Sequence, residues 1–183
     1  MAVVDKQQIR QEKLLARQNI ALSLRHQKEQ QIFDCFFNNN MIQNSKNIAL
    51  YYSIKGEVDT ILIIQKLLAA NINVFLPRMA GTDLQFYQIT NLSTDLEFDQ
   101  RFGLYEPQTT LPLIEKSEID VIVVPIVAFD QNNFRLGYGK GYYDRFLKNY
   151  QKTVIGLAFS EQLVTKPLPI EKHNIRIKTI ISA

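Results

Sequence analysis

The chain has 183 residues, 46% of them hydrophobic and 21% charged, with a formal net charge of +3, which is the composition of one ordinary globular domain with a sizeable core. That small charge admits an anionic small-molecule ligand but not the concentrated basic face of a nucleic-acid binder. The apolar runs are too short to span a bilayer, and the opening MAVVDKQQIRQEK holds no apolar signal-peptide core, so a cytoplasmic protein without membrane or nucleic-acid partners is expected.

Residues 5 to about 18 read as a polar helix in which Lys6, Arg10, Lys13 and Arg17 fall on one face. A second helix runs from Ser23, a plausible N-cap, to Phe37, with Ile32, Phe33, Phe36 and Phe37 as its apolar end. Its single cysteine, Cys35, cannot close an internal disulfide, which agrees with a reducing compartment, and reads as a small buried hydrophobe. NNNMIQNSKN is a loop and 48 to 53 a strand. Residues 57 to 70 read as a helix with Val58, Ile61, Leu62, Gln65 and Leu68 on one face and Glu57 and Asp59 in the first turn, where the macrodipole favours acids. A strand at 73 to 77 stops at Pro77, 83 to 89 reads as an edge strand, and 90 to 118 as irregular. DVIVVP, 120 to 125, is a continuous apolar strand of the kind buried on both faces. A helix from Lys140 to Tyr150 has the stripe Tyr143, Phe146, Leu147, Tyr150; strands at 153 to 159 and 175 to 181 complete the pattern. Strands alternating with helices predict a single α/β domain over 1 to 183, with a largely parallel sheet covered on both sides and a ligand site beyond the carboxyl ends of the strands.

The densest signal is RLGYGKGYYDRFL, 135 to 147. Gly137, Gly139 and Gly141 let the backbone take positive φ and approach a ligand closely. A helix starting just after them offers unpaired N–H groups to an anion, and Lys140 adds a mobile point charge. The run is neither a Walker A loop nor G-x-G-x-x-G, so spacing alone leaves a plain loop-to-helix turn equally open. Asp144 reads as an acid complementing the helix dipole or as a magnesium ligand. Arg135 and Arg145 read as solvated charges or as oxyanion clamps. Lys6 and Arg10, one turn apart, can reach one anion or lie on a solvated face. Glu57 is a first-turn acid or an acceptor for the N–H groups of a heterocycle. His26 and His173 have no partner at ligand spacing and read as packing residues.

These residues resemble the 5-formyltetrahydrofolate cyclo-ligase family, also called methenyltetrahydrofolate synthetase, over nearly the whole chain and in order. DKQQIR resembles the family's N-terminal K-x-x-x-R helix, YYSIKGEVDT its strand, loop and helix start, and VFLPR its next strand. DVIVVPIVAFDQNNFRLGYGKGYYDRFL resembles the central segment, and GLAFSEQLV with LPIEKHN the C-terminal part. The resemblance implies a three-layer α/β/α sandwich that uses ATP and magnesium to convert 5-formyltetrahydrofolate to 5,10-methenyltetrahydrofolate. It implies nucleotide contacts from Lys6 and Arg10 and from Arg135, Leu136, Gly137, Tyr138, Gly139, Lys140, Gly141, Tyr142 and Tyr143. Lys140, Arg135 and Tyr143 form the implied catalytic set, and Tyr52, Glu57, Tyr138 and Tyr142 face the folate. Asp144 is the implied metal ligand. Asn174 stands where the family usually has an aspartate that helps with the metal, so it offers an uncharged amide oxygen instead. A monomer with 5-formyltetrahydrofolate and ATP as its partners is expected. Two other classes remain distinct in their predictions: a folate- or nucleotide-binding protein without turnover, and a nucleic-acid binder using the basic stripe.

Overall fold

The structure, a computed structural model, describes residues 5–54, 56–101, 103–171 and 174–183; His173 lies outside them. In chain order the elements begin with α1 (Lys6–Gln18), α2 (Leu22–Phe37) and α3 (Asn40–Gln43). Then come β1 (Asn47–Ala49), α4 (Ile61–Ala69), β2 (Asn73–Ala80), β3 (Asp83–Ile89), β4 (Leu96–Asp99) and β5 (Leu104–Pro107). After β6 (Leu113–Ile114), β7 (Val121–Pro125), β8 (Ala128–Asp130) and β9 (Arg135–Leu136) follow α5 (Tyr142–Leu147), β10 (Thr153–Ala158), β11 (Leu163–Val164) and β12 (Thr179–Ser182).

Seven strands form the main sheet in the order β12-β10-β7-β1-β2-β3-β6. The first five are mutually parallel, and β3 runs antiparallel to β2 and β6 to β3. The VIVVP run explains the layering. Val121 and Val123 point to one face, with their register partners Ile48 and Ile155, and pack under Ile32 and Phe36 of α2 and Ile63, Ile64 and Leu67 of α4. Ile122 and Val124 point to the other, under Leu147 of α5 and Ile177. A strand buried on both faces needs apolar residues at every position, which is why alternation is absent there. Each of these side chains contributes about 2 kcal/mol by leaving water. A small second sheet, β11-β8-β9, lies beside the main one, and Ile9 of α1 packs on it with Ala128, Leu136 and Leu168.

Several sequence expectations shift. The second helix starts at Leu22 behind Ala21, so Ser23 is not its cap. Cys35 is exposed, because Ile32 and Phe36 already take the inward face of α2. The helix expected from Glu57 begins at Ile61, and its buried face is Ile63, Ile64 and Leu67, while Leu62 turns outward. The run ILIIQKLL has two apolar faces, and only its docking angle selects one. A short helix, α3, stands in the expected loop after α2. β2 runs through Pro77, which sits where an antiparallel partner tolerates a missing donor. β3 is not an edge, since Leu113 and Ile114 pair with it. The stretch expected to be irregular holds the β4–β5 hairpin, and the last strand is β12 rather than 175 to 181.

Candidate active site

A cleft of about 420 Å³ opens beyond the carboxyl ends of β1, β2 and β7, with Tyr51, Pro77 and Pro125 along its floor, the position at which α/β sheets bind ligands. The structure brings to this cleft every residue that the sequence reading singled out for nucleotide, folate or metal: Lys6, Arg10, Tyr52, Glu57, the run Arg135 to Asp144, and Asn174. Arg145 and His26 are not among its walls. Arg145 donates to the carbonyls of Lys140 and Thr82 and so ties the glycine loop to the β2–β3 turn, and His26 lines a separate groove with Glu29 and Asp59.

One wall is the glycine loop. The short antiparallel pair β8–β9 delivers Arg135 and Leu136 into the cleft, and the chain then turns through Gly139 at φ +99° and Gly141 at φ +70°, which only glycine adopts without strain. A Cβ at Gly139 would lie 3.3 Å from the Arg10 guanidinium carbon, and one at Gly141 would lie 2.8 Å from Arg145 Nη1. Arg10 Nε donates to the Gly137 carbonyl at 2.8 Å, so α1 holds the loop from the side. The helix that follows starts at Tyr142 rather than Lys140 and has six residues, so its dipole is small. The positive character of this wall comes from side chains: Lys140 is exposed, while Lys6, Arg10 and Arg135 converge around the loop. The basic stripe of α1 is therefore no solvated face. Arg17 is fully buried, Arg10 grips the loop, and Lys6 Nζ lies 2.5 Å from Glu171 Oε1.

The opposite wall begins in the loop between β1 and α4. Thr60 donates to the Tyr51 carbonyl at 2.7 Å and accepts from Ser53 N at 3.1 Å. The Tyr51 hydroxyl donates to the Val58 carbonyl at 3.1 Å. Asp59 Oδ1 accepts from the N–H of Ile61, the first residue of α4, at 2.8 Å, which explains an acid just ahead of the helix. Glu57, expected in the first turn, instead accepts from Ile54 N at 2.8 Å through Oε2 and is nearly buried at the cleft. Beyond it Tyr52 packs edge-on against Tyr105 of the hairpin, with 5.9 Å between ring centres, and Tyr105 packs in turn on Phe98.

Where the walls meet, Asp144 Oδ1 takes Arg135 Nη2 at 3.5 Å and Ile175 N at 3.3 Å. Its second oxygen carries no hydrogen bond among the described residues, which leaves a hard oxygen donor suited to magnesium. Asn174 fits the metal less well, because its Oδ1 already accepts from Lys6 Nζ at 3.3 Å and Glu171 N at 2.8 Å. Burial lowers the Arg135 pKa, opposed by the neighbouring Asp144 and Tyr143. Burial first, then the charge of Glu57, raises the Tyr143 phenol far above its ordinary value. Among the described residues, Arg135 Nε and the Tyr143 hydroxyl are buried and find no hydrogen-bond partner, a costly state that invites completion by ligand or water.

Comparison with known proteins bears on this arrangement. The model of the 5-formyltetrahydrofolate cyclo-ligase family matches residues 2–183. The chain belongs to the 5-formyltetrahydrofolate cyclo-ligase family. It is 36% identical to the 5-formyltetrahydrofolate cyclo-ligase of Haemophilus influenzae over 96% of both chains. It is 37% identical to that of Saccharomyces cerevisiae over 75% of this chain and 76% of the yeast protein. The solved structure of Aquifex aeolicus 5,10-methenyltetrahydrofolate synthetase superimposes with a TM-score of 0.85 at 30% identity, covering 97% of this chain and 89% of that one. The Mycoplasma pneumoniae synthetase superimposes with a TM-score of 0.77 at 26% identity over 97% and 98%.

Against that family frame, the sequence reading missed Glu106, Tyr105, Leu104, Met79 and Glu171, all of which line the cleft. Glu106 is 1% exposed. Its Oε1 accepts from Met79 N at 3.0 Å, Arg78 Nε stands 4.0 Å from Oε2, and burial raises its pKa. No local pattern marks these residues. The YEP of β5 sits in a stretch without clear alternation, and only the folded hairpin brings it over the cleft.

Proposed function

We propose that the protein converts 5-formyltetrahydrofolate to 5,10-methenyltetrahydrofolate at the expense of ATP, which leaves as ADP and phosphate. The observation that carries this reading is the pairing, across one cleft of a cyclo-ligase-family chain, of a cation-lined glycine loop with a wall of tyrosines and a buried carboxylate. The loop suits a triphosphate. Tyr52 and Tyr105 give flat apolar surface for a fused heterocycle, and Glu57 an acceptor for its N–H groups.

The bonds dictate the order of events. A formyl oxygen on nitrogen is a poor leaving group, so it first attacks the γ-phosphorus of ATP and becomes an imidate phosphate. The 10-nitrogen then attacks the formyl carbon and gives up its proton, the carbon–oxygen bond breaks, and phosphate departs carrying the formyl oxygen. The protein's contribution is positioning and charge stabilisation. Lys140 and Arg135 offset the charge on the transferring phosphoryl group, Lys6 and Arg10 hold the remaining phosphates, and the Tyr143 hydroxyl, which keeps its proton at neutral pH, serves as a neutral donor. Tyr138 and Tyr142 stand between the two substrates. Magnesium, if bound with the nucleotide, would supply positive charge against the phosphates, and Asp144 is the residue that would hold it, with Asn174 offering only an uncharged amide oxygen.

The same reading takes the chain as a cytoplasmic monomer with neither nucleic-acid nor membrane partners. The inward-turned cations of α1 support the former, and no described helix is long and apolar enough to cross a membrane. The test mixes purified protein with 5-formyltetrahydrofolate, ATP and magnesium and follows the near-ultraviolet band of the methenyl product. Growth of that band only with ATP is the expected result. Folded protein that binds the folate without forming the band would establish a non-catalytic binding protein instead.

A further inference from the structure

Arg145 lies outside the cleft, behind the glycine loop. Its guanidinium bridges two backbone carbonyls. Nη1 donates to that of Lys140 at 2.9 Å, Nε donates to that of Thr82 at 2.9 Å, and Nη2 donates to Thr82 as well. Its Cζ lies 5.1 Å from the centre of the Tyr142 ring, and the Tyr142 hydroxyl donates to the Gly81 carbonyl at 3.2 Å. Asp83 Oδ1 stands 3.9 Å from Nε, an exposed ion pair of little weight. Gly141 makes room for the fork, since a Cβ there would stand 2.8 Å from Nη1. A peptide unit is planar and trans, so its C=O and N–H point to opposite sides. Lys140 and Gly141 line the cleft and Arg145 does not; the Lys140 carbonyl is therefore turned outward, and the Gly141 N–H is turned to the side of the cleft. Among the described residues that N–H has no hydrogen-bond partner. Gly139 and Gly141, at positive φ on either side of Lys140, have the backbone freedom that lets such a peptide plane reverse easily unless it is held.

We propose that Arg145 is a positioning residue for the nucleotide: by clasping the Lys140 carbonyl to the β2–β3 turn, it keeps the Lys140–Gly141 peptide oriented with its N–H toward the phosphates. The inference rests on the reading of Gly141 as a nucleotide contact. It gives Arg145 an effect on ATP affinity although Arg145 lines no part of the cleft. What is required is the planar fork and not the charge, because a lysine ammonium is a point charge that cannot span both carbonyls from one rigid plane. The β2–β3 turn thereby takes part in nucleotide binding through the backbone of Thr82.

The test measures binding of ATP with magnesium, and separately of 5-formyltetrahydrofolate, by titration calorimetry, and follows the amide signals of [15N]glycine-labelled protein, whose seven glycines keep the spectrum simple. Arg145 is exposed, so Arg145→Ala and Arg145→Lys are both expected to fold. Each is expected to weaken ATP binding about tenfold, the scale of losing one hydrogen bond to a charged group, and to leave folate binding within about twofold of the parent. The Gly141 signal is expected to shift on ATP addition in the parent and to lose most of that shift in both variants. Millimolar guanidinium ion is expected to restore part of the ATP affinity of Arg145→Ala. An Arg145→Lys protein that binds ATP within about twofold of the parent overturns the proposal, because charge alone would then suffice. So does a Gly141 signal that responds equally in parent and variants, or a loss that is the same for folate as for ATP. A Gly141 signal that ATP leaves in place in the parent would sink the reading of that glycine as a nucleotide contact, and the proposal with it. None of these readouts needs turnover, so they stand apart from a missing methenyl product, which would sink the proposed reaction alone.

Discussion

The wall that carries the glycine loop and the wall that carries Glu57 face each other across the cleft but are assembled differently. The first is one contiguous run, Arg135 to Asp144, braced from outside by Arg10 and Arg145 through backbone carbonyls. Its chemistry is charge, and its shape depends on two glycines at positive φ. The second is gathered from the loop before α4, from β2 and from the β4–β5 hairpin. Its chemistry is surface, with aromatic rings in edge contact and carboxylates held by backbone N–H groups. A wall made of charge is sensitive to single groups, whereas a wall made of surface spreads its contribution over several.

The contrast is sharpest at Lys140. Lys140→Ala is expected to lower turnover by about 10³-fold or more, the scale of removing a cation from a phosphoryl transition state. The thermal midpoint should stay within about 2 °C because the side chain is exposed. Steady-state absorbance and a melting curve check both halves. Gly141→Ala comes next. A Cβ at φ +70° meets Arg145 at 2.8 Å, so about 1–2 kcal/mol of backbone strain should raise the ATP KM at least about tenfold while the folate KM moves little. Equal changes in both constants would show that the two walls are not separable. On the other side Tyr105→Ala is expected to raise the folate KM about fivefold, in line with losing one aromatic contact of about 1 kcal/mol, and to leave the ATP KM unchanged.

The smallest effect concerns the hairpin's support. Asp95 Oδ2 accepts from Thr90 N at 2.7 Å and Asn91 N at 2.9 Å. These and the Thr94 and Thr90 hydroxyls hold its carboxyl below the usual aspartate value, against the opposing effect of burial. A depressed folded-state pKa stabilises the protein above the unfolded value and loses that contribution as pH falls through the folded one. Asp95→Asn should therefore cost a few tenths of a kcal/mol at pH 7, the largely exposed carboxyl being screened by solvent, with the gap between variant and parent closing below about pH 4 in denaturant titrations.

The charged wall was legible because its parts lie within one run whose residue types are chosen for conformation and charge. Gly139 and Gly141 are readable as glycines that nothing else can replace, and Arg135, Lys140 and Asp144 as the charges around them. Lys6 and Arg10 were legible as a pair, but their direction was not, since a helical stripe fits solvent as well as a cleft. Glu57 was legible through its family pattern, although its place before the helix rather than inside it followed from Asp59 and Thr60 making the hydrogen bonds just ahead of α4. Glu106 and Tyr105 were not legible, because their position depends on a hairpin of short, half-exposed strands. The outward turn of Cys35 and the inward face of α4 were misread for one reason: in a run with apolar residues on two sides, tertiary docking and not periodicity chooses which side is buried.

The placement of α1 has a consequence for the order in which the molecule comes together. Lys6, Arg10 and Arg17 find their partners 165, 127 and 121 residues further along the chain. During synthesis this helix leaves the ribosome long before anything it grips exists, and on its own a polar helix of 13 residues is marginal in water. The main sheet can collapse around β7 and its neighbours first, but the cleft closes only when the earliest segment is captured by some of the latest. Assembly of the site is therefore a late, high-contact-order step, and a chain stalled before Glu171 lacks both the carboxylate that Lys6 pairs with and the edge strand β12.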